Sequence, residues 1–276
     1  MIGWTDPLRV AGLCVVCSVV LFAASIAMTQ PRAGRTDPEG DLLTFFYKDP
    51  LPERLIGYLD RYETSQREWI AYPPVAGFFA VIFRLHANEA DRLVPERPGP
   101  RVAATLSAAL TLSGNQALVA KLGPRLNEVR SDEKLNSEFA GLPSRLEDIR
   151  ASSGTHLDIL WGAAFASGNE AFVRMIADVF AQAVNRSELI ALDVARTALA
   201  IMGGPKEIMG QLRGKYGDAG AREIVFAATA LWGLQSNARQ HQFVERAVLN
   251  YVEDHSGTPA AKALTAATQR RKSKEL

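Results

Sequence analysis

Apolar residues recur at helical spacing along most of the chain, and no comparable stretch alternates with a period of two. Leu157, Leu160, Trp161, Ala164 and Phe165 follow the i, i+3, i+4, i+7, i+8 pattern of one helix face, behind Thr155 as N-cap. Phe243, Val244, Ala247, Val248, Tyr251 and Val252 repeat that stripe. Pro52 suits the first position of a helix with Leu55, Ile56 and Leu59 on its apolar face, and Pro73-Pro74 close one segment and open a very apolar helix from Val75 to Leu85. From Ile224 to Leu234, Thr229 and Gly233 aside, the run is apolar on nearly every side; capped by Asp218, it is expected to be the central, most buried helix. The pattern predicts an all-α fold.

Four places share a weaker regularity, an apolar helix, a polar break with Asn, and a second helix resuming at Ala. They begin at Phe78, Ala108, Gly162 and Ala230, and the two middle copies repeat Ser-Gly-Asn-x-Ala at Ser113 to Ala117 and at Ser167 to Ala171. Glycine can end a helix in the left-handed conformation while Asn caps the next one. Two readings stay open: an internal repeat of αα-hairpins, or generic connections using the same capping chemistry. Either predicts antiparallel neighbours, in a short solenoid-like array or a compact bundle behind an N-terminal apolar helix.

That N-terminal helix is expected from Val10 to Met28, which carries no charge and as a helix would span roughly 28 Å, close to a bilayer core. Ser25-Ile26-Ala27 would serve for cleavage of a signal peptide, and an uncleaved single-pass anchor is the alternative. The expected locations are therefore a membrane anchor facing away from the cytoplasm, or a periplasmic or secreted protein after cleavage near Ala27. The organisation reads as 1–30 signal or anchor, 31–41 linker, 42–122 an aromatic-rich helical half, 123–154 an irregular connection, 155–265 a second helical half and 266–276 a basic tail.

Composition narrows the functions. Lys and Arg number 31 against 30 acidic residues, so no concentrated basic excess points to nucleic acid. Cys14 and Cys17 have C-x-x-C spacing but lie inside the apolar run, a poor setting for a reactive or metal-binding thiolate. His156 and Asp158 are two residues apart and would face different ways on a helix, while His86 and Glu89 could share a face without enough convergent ligands for zinc. Gly210 to Lys215 reads GQLRGK, with the wrong spacing for a phosphate loop, and Asn185-Arg186-Ser187 fits the glycosylation triplet although Ser187 also suits a helix cap. No catalytic, cofactor or metal residue is assigned.

Ten of the 22 aromatic residues fall between Phe45 and Phe83. Aromatics at helix spacing fill cores, and they also line grooves for peptides, lipids or glycans. Phe45, Phe46, Tyr47, Trp69 and Tyr72 are the candidate ligand or partner surface.

The segments FFYKDP at Phe45 to Pro50, YPPVAGFFAVIF at Tyr72 to Phe83, and HLDILWGAAFASGN at His156 to Asn169, about 32 residues together, resemble uncharacterised bacterial proteins predicted to be helical and often exported. The resemblance implies a bacterial origin and no particular activity. The expected function is a non-catalytic helical interaction or scaffold protein, exported or membrane-anchored through residues 10–28, with a protein partner. A binder of an apolar or glycan ligand through the aromatic-rich half, and an enzyme whose acid and base residues converge from distant helices, are the alternatives.

Overall fold

Proline and glycine set many of the element boundaries. The computed structural model describes residues 42–66, 68–201 and 206–269, and among these no strand occurs. The apolar run 10–28 with both cysteines, the linker 31–41 and the end of the basic tail lie outside the described residues. Contacts within the chain group the described residues into two units. One holds everything up to Ala151 together with Thr155–Phe172; the other holds Ser152–Gly154 and the chain from Val173 onward.

In the first unit the helices are α1 (Tyr58–Ser65), α2 (Pro73–Leu85), α3 (Ala90–Leu93), α4 (Pro100–Ser113), α5 (Gln116–Asn127), α6 (Glu133–Phe139) and α7 (Gly154–Ser167). The expected helix from Pro52 through Leu59 is interrupted. Pro52–Leu55 forms a short 3-10 turn, Gly57 takes φ 69°, and α1 starts afterwards, leaving Ile56 exposed. Pro73 does open α2, where its missing N–H costs nothing, and every residue from Pro73 to Phe83 is buried. Helix α4 packs on α2, and its first amides are satisfied across space: the Glu63 carboxylate on α1 accepts from Arg101 N at 3.0 Å and from Val102 N at 3.3 Å. A carboxylate here also suits the positive end of α4.

Helix α7 buries Leu157, Leu160, Trp161, Ala164 and Phe165 as their spacing predicts, and with them every other residue from Leu157 to Ala166; it begins at Gly154, so Thr155 is its second residue rather than its cap. It meets α2 backbone to backbone. A Cβ on Gly77 would fall inside the Ile159 carbonyl oxygen, and one on Gly162 inside the Pro74 carbonyl oxygen. Two glycines thus let the helices approach more closely than side chains allow. This contact places Thr155–Phe172 with the preceding helices, although they follow the irregular 123–154 stretch in sequence.

The second unit contains α8 (Glu170–Val184) from Val173 on, α9 (Glu188–Ala200), α10 (Lys206–Ala238), α11 (Gln242–Asp254) and α12 (Pro259–Gln269). Helix α10 packs on α9 and α11, and α12 packs on α11 and α9. Helix α10 is broken at Gly217 (φ 70°, ψ 178°), one residue before the expected cap Asp218. Its Ile224–Leu234 stretch is buried apart from the half-buried Phe226, matching its all-round apolarity. On α11, Phe243, Val244, Ala247, Val248 and Tyr251 face the core, as their spacing predicts.

The two Ser-Gly-Asn connections share one geometry. Gly114 and Gly168 have φ 69° and 65°; the Asn115 and Asn169 side chains accept from Leu118 N at 3.1 Å and Ala171 N at 2.9 Å. The preceding Ser113 and Ser167 hydroxyls each accept from the Asn amide at 3.1 Å. At the fourth place the chemistry differs. Asn237 is buried in the last turn of α10, and its Oδ1 has no hydrogen-bond partner among the described residues.

Candidate functional site

One group of chemically capable side chains in the first unit lies where Glu138 of α6 meets Thr155 of α7. Asp132 caps α6 by accepting from Leu135 N at 3.0 Å, and of the seven residues in this helix Leu135 is the buried one. Lys134 and Glu138, one turn apart, pair at 2.6 Å. The Lys134 ammonium also sits 4.7 Å from the centre of the Trp69 ring, a cation–π contact. From α7, the buried Thr155 hydroxyl donates to the other Glu138 oxygen at 2.7 Å.

His156 follows Thr155 and is half-buried. Burial holds its imidazole below the ordinary histidine range, against the opposing attraction of the Glu138 carboxylate. The corner therefore combines a neutral imidazole with a carboxylate already engaged by an ammonium and a hydroxyl. Its available chemistry is uptake of a proton on acidification.

Asp158 points the other way around α7, since two residues turn a helix by about 200°. It is 4% exposed, and no hydrogen bond or ion pair joins its side chain to another described residue. Burial raises its pKa well above the ordinary carboxylate value, because an apolar surrounding favours the neutral, protonated carboxyl. An acid inside the apolar run from Leu157 to Ala166 is the one sequence signal that would have singled it out. Lys134, Glu138 and Thr155 offered none, because they meet only through folding.

The aromatic candidates divide. Phe46 and Tyr72 are each 1% exposed and pack in the core. The Phe46 ring meets Phe78 edge-on at 5.1 Å, while the Tyr72 ring meets Tyr62 at 5.4 Å and its hydroxyl donates to Gln66 O at 2.9 Å. Phe45, Tyr47 and Trp69 are partly exposed. Two of their rings already carry an ammonium, Lys134 on Trp69 and Lys48 at 4.6 Å from Phe45, and Tyr47 packs over Gly168.

Polar residues of the second unit join helices. The Tyr251 hydroxyl donates to Asp178 at 2.9 Å, Arg174 pairs with Asp254, and His255 stacks on the Tyr251 ring at 4.1 Å. Burial, with Asp178 beside it, raises the Tyr251 pKa. Asp193 accepts from Lys215 and Tyr216, each at 2.7 Å, and these bonds hold its carboxylate pKa low. Asn185, the glycosylation candidate, accepts from Ala260 N at 3.1 Å at the start of α12. Gly210 to Lys215 is helical, a geometry that cannot cradle phosphate as a loop does. No three His, Cys, Asp or Glu side chains converge as metal ligands among the described residues. Neither a protein family, nor a curated protein, nor a solved structure matches this chain.

Proposed function

We propose that this chain is a non-catalytic interaction protein, exported or held at a membrane by residues 10–28, whose helices form an array of antiparallel αα-hairpins that offers an open helix face to a protein partner. The supporting observation is on α9. Leu192 and Leu199 are 48% and 63% exposed, and being seven residues apart they share one helix face. Between them the Arg196 side chain is 70% exposed, giving a Leu-Arg-Leu row two turns long. Two large apolar side chains around an arginine have the composition of an interface centre. Antiparallel self-pairing would oppose Arg196 to its own copy, so the fitting partner is a different protein that presents apolar side chains around a carboxylate.

A photo-cross-linking residue at Leu199 tests this in the native compartment, with Leu249, 51% exposed on α11, as the control position. One protein adduct at Leu199 that disappears on Leu192→Asp is the expected outcome. Absence of an adduct, or the same adduct from Leu249, would refute the surface. Intact mass and fractionation of the mature protein test the anchor separately.

An apolar or glycan ligand at the aromatic-rich half has less support. Stacking a sugar on Trp69 or Phe45 would require displacing the ammonium now on each ring.

A further inference from the structure

We propose that the partner of the α9 face is an amphipathic helix with Asp or Glu along one edge of its apolar stripe, and that Arg196 on α9 and Lys215 on α10 receive this carboxylate jointly. The proposal deepens the interaction surface described above and rests on it. Its basis is the way three side chains share Asp193. The Oδ2 of Asp193 accepts from both the Lys215 ammonium and the Tyr216 hydroxyl at 2.7 Å. Its Oδ1 faces the Arg196 guanidinium at 3.8 Å, at the long end of an ion pair. Two cations thus flank one anion, and the corner carries one positive charge in excess.

Helix geometry sets where that excess lies. At about 100° per residue, Leu192, Arg196 and Leu199 fall within about 60° of one another, and Asp193 lies about 60° beyond Arg196, away from the leucines. Because Asp193 holds Lys215 and Tyr216, the first segment of α10, up to the break at Gly217, runs along that same side. The row therefore has an apolar centre and one basic edge. On α10, Arg213 is already balanced by Asp218 at 3.2 Å and adds nothing to that edge.

Exposure favours an incoming anion. The Arg196 and Lys215 side chains are 70% and 53% exposed, whereas that of Asp193 is 12% exposed. A visiting carboxylate can use the Arg196 fork, and Lys215 keeps two N–H donors beyond the one given to Asp193. Bonds from Lys215 and Tyr216 hold the Asp193 pKa low, so this residue stays ionised and keeps the ammonium in place. Apolar contact by the leucines with a charge pair at one edge fixes the orientation of the docked helix.

The test uses the photo-cross-linking residue at Leu199 of the full chain in its native compartment, with the contact peptide of the adduct read by mass spectrometry. An Asp or Glu within one helical turn of the cross-linked position is expected, together with about a tenfold loss of adduct in Arg196→Gln and in Lys215→Gln. Changing that acid to its amide should cost as much, and combining it with either variant should cost little more. Lys215→Arg, which keeps the charge, should retain the adduct even if the Gln variant disturbs α10. Arg186→Gln, which removes an exposed charge paired with Glu223, should leave the adduct unchanged. An adduct that persists in both Arg196→Gln and Lys215→Gln would overturn the carboxylate while leaving the apolar surface standing. A lipid adduct, or a protein adduct lost on phosphatase treatment, would overturn it too. Absence of any adduct would refute both the carboxylate and the surface.

Discussion

Gly77 on α2 and Gly162 on α7 are reciprocal halves of one backbone contact: each lacks the Cβ that would enter a carbonyl oxygen of the opposite helix, at Ile159 and Pro74 respectively. Both glycines sit inside helices, where each costs about 1 kcal/mol relative to alanine. The close approach offsets that cost by bringing two all-buried helices into direct packing.

Gly77→Ala and Gly162→Ala should therefore each destabilise the chain by about 3 kcal/mol or more, since backbone must move to admit the methyl. The double variant should lose less than the sum, because one separation of α2 and α7 relieves both clashes. Denaturant midpoints read both effects. Gly214→Ala, in open space on α10, should change stability in the opposite direction by about 0.5–1 kcal/mol. Tolerance of alanine at both Gly77 and Gly162 would show that the helices do not meet as described.

Asp158 predicts a particular pH dependence. Its folded pKa is raised, so between the unfolded value of 3.8 and the folded one the native state keeps a proton that the unfolded chain has released. Stability contributed by this site thus falls as pH rises, by about 1.4 kcal/mol per unit until the folded value is reached. Asp158→Asn removes that slope. Its gain over the wild type should grow as pH rises above the unfolded value of 3.8. Parallel unfolding curves for the two proteins across that range would contradict the buried carboxyl.

Glu138→Gln separates the groups around His156. Losing the carboxylate removes the attraction that favours imidazolium, so the His156 titration should move to lower pH, as NMR of the ring would show. A shift to higher pH would mean that another group governs the ring.

Caps and buried hydroxyl bonds give a graded series. Asn115→Ala and Asn169→Ala should each cost about 1 kcal/mol, and add, because they cap separate helices. Tyr251→Phe should cost about 1 kcal/mol by leaving Asp178 without its donor. Arg186→Ala should remain within about 0.5 kcal/mol, since both members of its pair with Glu223 are exposed. Thermal melts order these variants, and a large loss at Arg186 would invert the expected ranking.

Much of the helical organisation was legible in the residues. Pro73 announces α2, the stripe from Phe243 to Tyr251 announces the buried face of α11, and Ser-Gly-Asn announces two connections, because each signal acts within a few residues of itself. Local signals were also incomplete. Leu157 to Phe165 reads as one apolar stripe, and α7 buries that stripe and its other faces as well, since small residues such as Gly162, Ala163 and Ala166 permit burial without advertising it. Density of aromatics left surface and core both open, and Phe46 and Tyr72 pack as core.

What the sequence determined by itself is the helical class, where several helices start and stop, and which connections take glycine and Asn, because these depend on dihedral preferences and hydrogen bonds between near neighbours. The tertiary structure alone decided that Gly77 faces the Ile159 backbone and Gly162 the Pro74 backbone, that Glu138 meets Thr155, that Asp158 is buried, and that Leu192 and Leu199 stay exposed. Those outcomes depend on which distant segments share a core, and burial, together with the proton affinities it shifts, is a property of that shared environment rather than of any one stretch of chain.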